Sequence, residues 1–202
     1  MKKIKICGIT REEEIQYLNS AGVDYAGFVL FYPKSKRNIG TEQAKRLISL
    51  LDPAILPVAV TVSPTIEQLR EIEQAGFPLV QIHGAISDDV LNQTKLLVLK
   101  AFNVSDLTEF DRFEKKENVI GYVFDAQVPG SGKTFDWELL KKIPVTSKLT
   151  LLAGGLNPSN VAAAVSSTNV DGVDTSSGVE CDTGVGKDEK KISTFVEQVR
   201  TA

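Results

Sequence analysis

The chain alternates short, β-branched apolar runs with longer amphipathic runs, and this alternation repeats eight times. The pattern predicts a parallel sheet covered by helices, because each crossover must return the chain to the same end of the sheet. The predicted strands are 3–7, 25–31, 56–62, 79–83, 96–102, 119–125, 148–154 and 170–176, and the predicted helices are 10–22, 41–51, 65–76, 88–94, 105–115, 136–143, 157–165 and 188–200.

Eight strand-helix units favour an α/β fold of the closed (β/α)₈ or TIM barrel type. The 202 residues leave about 25 residues for each unit, which is near the short limit of that fold. No Pro-rich or Ser-rich linker divides the chain, so we expect residues 1–202 to form a single domain. An open doubly wound sheet also accommodates eight strands, and the count alone leaves that alternative open.

Several helix ends carry recognisable signals. Thr10, with Glu13 three residues later, fits a capping box, and Asn157 followed by Pro158 fits an N-cap with proline in the first turn. We expect helices to begin at these two points, and Gly22 lies where the first helix should end.

Composition and charge are those of an ordinary globular protein. Hydrophobic residues make up 42% and charged residues 24%, and the net charge of −3 lacks the basicity of nucleic-acid or membrane-surface binders. We therefore expect no nucleic-acid and no membrane partner. No apolar run approaches the roughly 20 residues of a transmembrane helix, and the N-terminus does not resemble a signal peptide, which predicts a cytoplasmic protein.

The few cysteine and histidine residues limit metal and redox chemistry. Cys7 and Cys181 lie far apart in the sequence, and in a reducing compartment we expect both to be free thiols. With one histidine and no C-x-x-C pair, the sequence gives no support for a zinc site, and we expect no metal.

Residues 130–134 read Gly-Ser-Gly-Lys-Thr, like the end of a phosphate-binding P-loop. A P-loop has a further glycine five residues before the second glycine of that run, and this position holds Gln127. We therefore expect no bound nucleotide. A long glycine-rich connection after a barrel strand is typical of loops that close over a substrate, so we expect an active-site lid here.

Reactive groups of a (β/α)₈ barrel lie at the carboxyl ends of its strands and in the loops that follow. These positions are unusually polar in this chain. They supply the candidate site residues Cys7, Arg37, Gln81, His83, Asp125, Gly154, Gly155, Ser177 and Gly178.

Cys7 ends the first predicted strand. Alternation places Cys7 and Lys5 on one face, opposite two isoleucines, so the thiol should project into the barrel mouth if the isoleucines pack under the helices. A nearby ammonium such as Lys5 would lower the pKa of the thiol and allow Cys7 to act as a base. The alternative is a small buried hydrophobic residue without a chemical role.

Three further candidates also have two interpretations. Asp125 directly precedes the glycine-rich loop and is either catalytic or a cap of the next turn. Arg37 has a guanidinium suited to a carboxylate, but exposed basic runs are usually solvated surface. His83, which shares its strand end with Gln81, is either an acid or base or a hydrogen-bonded wall residue.

Glycines and serines follow the last two predicted strands. Gly154 and Gly155 end the seventh, and Ser177 and Gly178 follow the eighth. Many barrels bind phosphate at this place with backbone N–H groups, which predicts a phosphorylated small molecule as substrate. The alternative is that these glycines only form tight turns.

Several motifs together resemble the phosphoribosylanthranilate isomerase family. They are KICGIT, GFVLFYPKSKR, VQIHG, GSGKTFDW, LAGGLNPSNV and VDTSSGVE, in order over essentially the whole chain. The resemblance implies a (β/α)₈ enzyme of tryptophan biosynthesis that needs neither cofactor nor metal. The implied reaction is the Amadori rearrangement of N-(5-phosphoribosyl)anthranilate to 1-(2-carboxyphenylamino)-1-deoxyribulose 5-phosphate.

The resemblance also implies residue roles. Cys7 matches the general base of the family and Asp125 its general acid, while Arg37 matches the arginine that holds the anthranilate part. The phosphate-binding stretches of the family match Gly155, Ser177 and Gly178.

Two stretches depart from the family pattern. VPGSGKT lacks an extra residue near the usual Pro-Gly-Gly segment, and VECDTGVGKDEKK replaces a common Pro-Gly-x-Lys-Asp ending. We place the second departure at the edge of the phosphate region, away from the chemistry, and Cys181 within it matches no functional position.

Two other functions suit a barrel of this kind. A pentose-phosphate epimerase is expected to use a metal and several histidine or acidic ligands, whereas this chain has one histidine. A catalytically silent phosphosugar-binding barrel would keep the glycines and lose the acid and base, which are present as Asp125 and Cys7. The sequence leaves a monomer and a homodimer equally open.

Overall fold

The computed structural model of the chain describes residues 1–125 and 145–202. Within them, eight parallel strands close into one barrel in chain order, and the last strand pairs with the first. This confirms the predicted (β/α)₈ fold and excludes the open sheet. The strands are β1 (Lys3–Cys7), β2 (Tyr25–Val29), β3 (Leu56–Val62), β4 (Leu79–His83), β5 (Leu97–Asn103), β6 (Val119–Asp125), β7 (Leu149–Leu152) and β8 (Gly172–Thr175).

Helices follow the strands in the described part of the chain, and a single 3-10 turn, Ser177–Val179, follows β8. None of these helices combines the length and apolarity needed to span a bilayer. The predicted helix 136–143 and the predicted lid over 126–134 lie outside the described residues. The helices are α1 (Glu12–Ala21), α2 (Thr41–Ile48), α3 (Ile66–Gln74), α4 (Asp88–Gln93), α5 (Phe110–Glu114), α6 (Val161–Ser166) and α7 (Glu189–Thr201).

The start of α1 differs from the prediction by one residue. The N-cap is Arg11, and the carboxylate of Glu14 accepts hydrogen bonds from the backbone N–H of Arg11 at 3.1 Å and of Thr10 at 2.6 Å. The predicted pairing of Thr10 with Glu13 is therefore wrong, because the buried Glu14 turns back instead. At the other end, Gly22 takes the left-handed conformation with φ of 63° and donates to the carbonyl of Leu18, as predicted.

The start of α6 also lies later than predicted. Its N-cap is Asn160, whereas the side chain of Asn157 accepts a hydrogen bond from the N–H of Ser159 at 2.9 Å. Asn157 thus forms a local turn ahead of the helix, which is a common alternative use of this residue type.

Alternation along the strands creates two separate cores. Ile4 and Ile6 of β1 point outward and pack in one cluster with Ile15 and Leu18 of α1. Cys7 belongs to the second cluster, inside the barrel. The predicted division of β1 is confirmed, and it directs the thiol inward at the carboxyl end of the strand.

Glycines allow close contact between neighbouring strands on the inner face. Gly172 of β8 lies between β1 and β7, and a Cβ added there would stand 2.4 Å from the carbonyl oxygen of Lys3 and 2.8 Å from Cδ2 of Leu151. Since backbone cannot yield as a flexible side chain does, closure of the barrel depends on glycine at this position.

We predict that Gly172→Ala lowers the free energy of unfolding by about 3 kcal/mol, because overpacking against backbone forces the strands apart. Urea denaturation measures the loss. Gly40→Ala is the matched control, since no atom lies within 4 Å of its added Cβ; at this N-cap we expect a loss of at most about 1 kcal/mol. Equal losses in the two variants would contradict the close contact.

Candidate active site

A cavity of about 770 Å³ opens at the carboxyl ends of the strands. This is within the usual volume of a site for a small organic ligand. The barrel brings together residues predicted from distant parts of the sequence. Gly178, in the 3-10 turn, does not line the cavity. The cavity is lined by the other predicted site residues, which are Cys7, Arg37, Gln81, His83, Asp125, Gly154, Gly155 and Ser177.

Cys7 ends β1 opposite Gly27 of β2. A Cβ at position 27 would lie 2.9 Å from Sγ of Cys7, so glycine leaves the room that the thiol occupies. On the other side, the hydroxyl of Ser176 donates a 2.8 Å hydrogen bond to the carbonyl oxygen of Cys7. Cys7 is therefore contacted on one side by β2 and on the other by the residue that follows β8.

A buried ion pair lies on the inner face beneath the thiol. Nζ of Lys5 is 2.9 Å from both carboxylate oxygens of Asp174, and the lysine side chain is completely buried. A second ammonium, that of Lys187, contacts the carbonyl oxygen of Ser176 at 2.9 Å and its hydroxyl at 3.2 Å. Two cations thus lie in the surroundings of Cys7.

Sequence reasoning had identified Lys5 but neither Asp174 nor Lys187. The sequence analysis did not select Asp174, although alternation from Gly172 places it on the inner face of β8 and this pattern indicates it. Lys187 lies in an irregular segment, where no periodicity indicates direction.

Burial raises the pKa of the Cys7 thiol above its ordinary value. Lys5 and Lys187 lower this pKa, while the carboxylate of Asp174 adds to the rise. The predicted influence of Lys5 is present, but desolvation outweighs it, so the predicted net lowering is wrong for the ligand-free protein. Cys7 therefore carries its proton at neutral pH in this structure.

Arg37 lies in the loop after β2 and is held to the cavity wall. Its Nε donates a 2.6 Å hydrogen bond to Oε1 of Glu180, and its side chain is 19% exposed. The aliphatic part of Arg37 packs over Gly8, where an added Cβ would come within 2.4 Å of Cδ. This geometry differs from that of a solvated surface arginine.

Gln81 and His83 lie on the inner face of β4. Nε2 of Gln81 is 2.8 Å from Nε2 of His83, and Oε1 of Gln81 is buried without a hydrogen-bond partner among the described residues. Burial lowers the pKa of His83 to about 4, and the charges of Lys100 and Lys5 contribute. His83 is therefore neutral at physiological pH and presents a polar wall rather than a charge.

Asp125 ends β6 on the inner face, in register with Asn103 of β5. Both residues line the cavity that Cys7 lines. A carboxyl group and a thiol from strands far apart in sequence thus line the same cavity. An acid and a base that act on one ligand require this arrangement.

The loops after β7 and β8 form a compact backbone surface. Gly154 and Gly155 have φ of 101° and 68°, which glycine adopts without strain. Gly178 packs against the carbonyl of Leu156, which an added Cβ would approach to 1.9 Å. Within residues 1–125 and 145–202, no backbone carbonyl accepts from the N–H groups of Gly154, Gly155 or Ser177.

Metal ligands do not cluster in the described part of the chain. No group of three or more His, Cys, Asp or Glu side chains there has a metal-binding arrangement.

The fold and this site define a (β/α)₈-barrel enzyme with candidate acid and base groups at the carboxyl ends of its strands. Residues 4–198 match the family model described as N-(5'phosphoribosyl)anthranilate (PRA) isomerase. The chain belongs to this family of isomerases, which confirms the resemblance found in the sequence.

Relatives match over the full length. The N-(5'-phosphoribosyl)anthranilate isomerase of Thermoanaerobacter sp. (strain X514) is 42% identical over 206 residues, covering 99% of this chain and 98% of the relative. The crystal structure of phosphoribosyl anthranilate isomerase from Thermotoga maritima aligns with a TM-score of 0.87 at 36% identity, covering 100% of both chains. A phosphoribosyl anthranilate isomerase in complex with reduced 1-(o-carboxyphenylamino)-1-deoxyribulose 5-phosphate aligns with a TM-score of 0.85 at 33% identity, again over 100% of both chains.

We predict that His83 titrates with a midpoint of about 4, well below the value of about 6.5 for an unfolded chain. Because the sequence has one histidine, its proton NMR resonance reports this directly. As the pH falls below about 6.5, His83 becomes protonated in the unfolded chain but stays neutral in the folded protein. The free energy of unfolding should therefore fall as the pH is lowered toward about 4.

His83→Asn should remove this part of the pH dependence in urea denaturation between about pH 6.5 and pH 4. A resonance that titrates near 6.5 in the folded protein would contradict the burial of the ring.

Proposed function

We propose that the chain is an isomerase of tryptophan biosynthesis that converts N-(5'-phosphoribosyl)anthranilate to 1-(2-carboxyphenylamino)-1-deoxyribulose 5-phosphate. The observation that carries this proposal is that Cys7 and Asp125 line one cavity together with an anchored arginine and a glycine-rich backbone surface. The related isomerase bound to a reduced form of this product supports the choice of ligand.

The reaction requires one acid and one base on a single sugar. Asp125 donates a proton to the furanose ring oxygen, which opens the ring to a cationic Schiff base. Cys7 in its thiolate form, with its own proton already released to solvent, then removes the proton from C2. The resulting enolamine gains a proton at C1 and loses the proton of the C2 hydroxyl, which gives the aminoketone. Both transfers occur within the cavity, so no diffusing base is needed.

The raised pKa of Cys7 fits this order of events. In the ligand-free protein, burial keeps the thiol protonated despite the pull of Lys5 and Lys187. A Schiff-base cation beside the thiol adds positive charge, which favours the thiolate. The fraction of Cys7 present as thiolate therefore rises at the step where the C2 proton becomes acidic.

The two ends of the substrate are assigned to different groups in the cavity lining. The N–H groups of Gly154, Gly155 and Ser177, with Gly178 shaping their turn, suit the phosphate, and Arg37 suits the carboxylate of the anthranilate part. Gln81 and His83 supply neutral polar groups to the same lining. Holding both ends positions the flexible open-chain sugar for proton transfer.

We also propose that residues 1–202 act as one cytoplasmic domain that needs neither cofactor nor metal. Its assembly state is a monomer or a homodimer; the Thermotoga maritima isomerase is dimeric.

We predict that Cys7→Ala and Asp125→Asn each lower kcat by at least about 100-fold, with smaller changes in KM, because each removes a proton-transfer group. The decay of anthranilate fluorescence after addition of the protein to the substrate measures turnover. Cys181→Ser is the matched cysteine control and should retain activity, since Cys181 does not line the cavity. Near-normal turnover in either of the first two variants would remove that role.

We predict that Arg37→Ala raises KM by about 10-fold or more and changes kcat less, because a charged hydrogen-bond donor to the substrate is lost. Arg46→Ala, which changes an exposed arginine of α2, should leave both constants unchanged. Unchanged KM in Arg37→Ala would argue against a contact with the substrate.

A further inference from the structure

Glu180 follows the 3-10 turn after β8, and three cations surround its carboxylate. Nε of Arg37 lies 2.6 Å from Oε1, Nζ of Lys36 lies 2.9 Å from Oε2, and Nζ of Lys187 lies 3.6 Å from Oε1. The glutamate side chain is 10% exposed. It therefore joins the loop after β2 to the segment before α7 in a nearly dry setting.

Glu180 is ionised in this setting. Burial alone would raise the pKa of its carboxyl, but the hydrogen bonds from Arg37 and Lys36 outweigh burial and hold the pKa below its ordinary value. The interaction with Arg37 is thus a charged hydrogen bond, which is stronger and more directional than a neutral one.

Glu180 occupies only one donor of the Arg37 guanidinium. Among the described residues, Nε is the side-chain nitrogen of Arg37 that hydrogen-bonds to protein, which leaves the two terminal nitrogens for a ligand. A guanidinium binds a carboxylate through two parallel N–H donors, and this mode requires a fixed orientation of its plane. Contact with Gly8 fixes the aliphatic part of the Arg37 side chain, and the hydrogen bond from Nε to Glu180 fixes the orientation of the guanidinium plane.

The charge around this group is also suited to an anion. Three cations surround one carboxylate, so the cluster of Lys36, Arg37, Glu180 and Lys187 keeps an excess of positive charge. A ligand carboxylate therefore meets a net positive group even though Glu180 already pairs with Arg37.

We propose that Glu180 is a positioning residue that orients Arg37 for the carboxylate of the aryl amine and so determines preference for a carboxylated substrate. This role rests on the proposed isomerase function and deepens it. Glu180 does not touch the substrate itself; it acts through the guanidinium plane.

The test compares N-(5'-phosphoribosyl)anthranilate with N-(5'-phosphoribosyl)aniline, which lacks the carboxylate. Glu180→Gln should lower kcat/KM for the first substrate by about 10-fold or more, mainly through KM, and change that for the second by less than about 2-fold. Arg37→Ala should show the same selectivity. The double variant should lose little beyond Arg37→Ala, because the two residues act through one contact.

Asp182→Asn is the matched control. Asp182 lies two residues further on, is 95% exposed and pairs with Lys191, so its loss should leave both substrates unaffected. Thermal unfolding of each variant reports folding. If Glu180→Gln does not fold, Arg37→Lys is the second test variant, because it keeps the positive charge but lacks the planar guanidinium that Glu180 orients. It should cause the same loss of kcat/KM, limited to the carboxylated substrate.

Equal losses on both substrates in Glu180→Gln, or no loss on either, would overturn the positioning role while leaving the isomerase function in place. Fully additive losses in the double variant would overturn it as well. A wild-type protein that converts neither substrate would instead bring down the proposed function, and the role of Glu180 with it.

Discussion

Lys5 and Asp174 form an ion pair that is enclosed by the barrel and joins its first strand to its last. The two residues are register partners between β1 and β8, with Nζ 2.9 Å from each carboxylate oxygen. A slip of one residue would turn one partner toward the helices and leave the other charge buried alone, at a cost of roughly 3 to 5 kcal/mol. The pair thus excludes other registers, and the same register sets Cys7 at the rim of the cavity.

Burial and the nearby lysines also set the protonation of two groups in the cavity, His83 and Cys7. His83 is held uncharged by burial and by the nearby lysines. Cys7 is held protonated by burial, although Lys5 and Lys187 reduce the cost of its ionisation. Any further positive charge beside the thiol would lower its pKa in the same direction as the two lysines do.

Regular elements and the residues on them could be predicted from the sequence. Alternation placed Cys7 inside the barrel, and the strand end placed Asp125 beside the same cavity. The exact partners of local hydrogen bonds could not be predicted. Glu14 rather than Glu13 accepts from the N–H of Arg11 at the start of α1, because the packing of the helix decides which carboxylate lies near that N–H. Net desolvation of Cys7 was also missed, because a sequence shows the neighbouring lysine but not the loss of water around the thiol.

The segment after β8 escaped prediction because its geometry is set by glycines rather than by periodicity. Gly184 and Gly186 adopt φ of 73° and 77°, which turns the chain so that the N–H of Lys187 reaches the Glu14 carboxylate at 2.8 Å. The sequence had placed this segment away from the chemistry, yet it carries Lys187 to the hydroxyl of Ser176, which in turn bonds the carbonyl of Cys7. An irregular loop thereby links Arg37, through Glu180 and Lys187, to the end of β1 that carries Cys7, and these contacts shape the cavity together with the barrel.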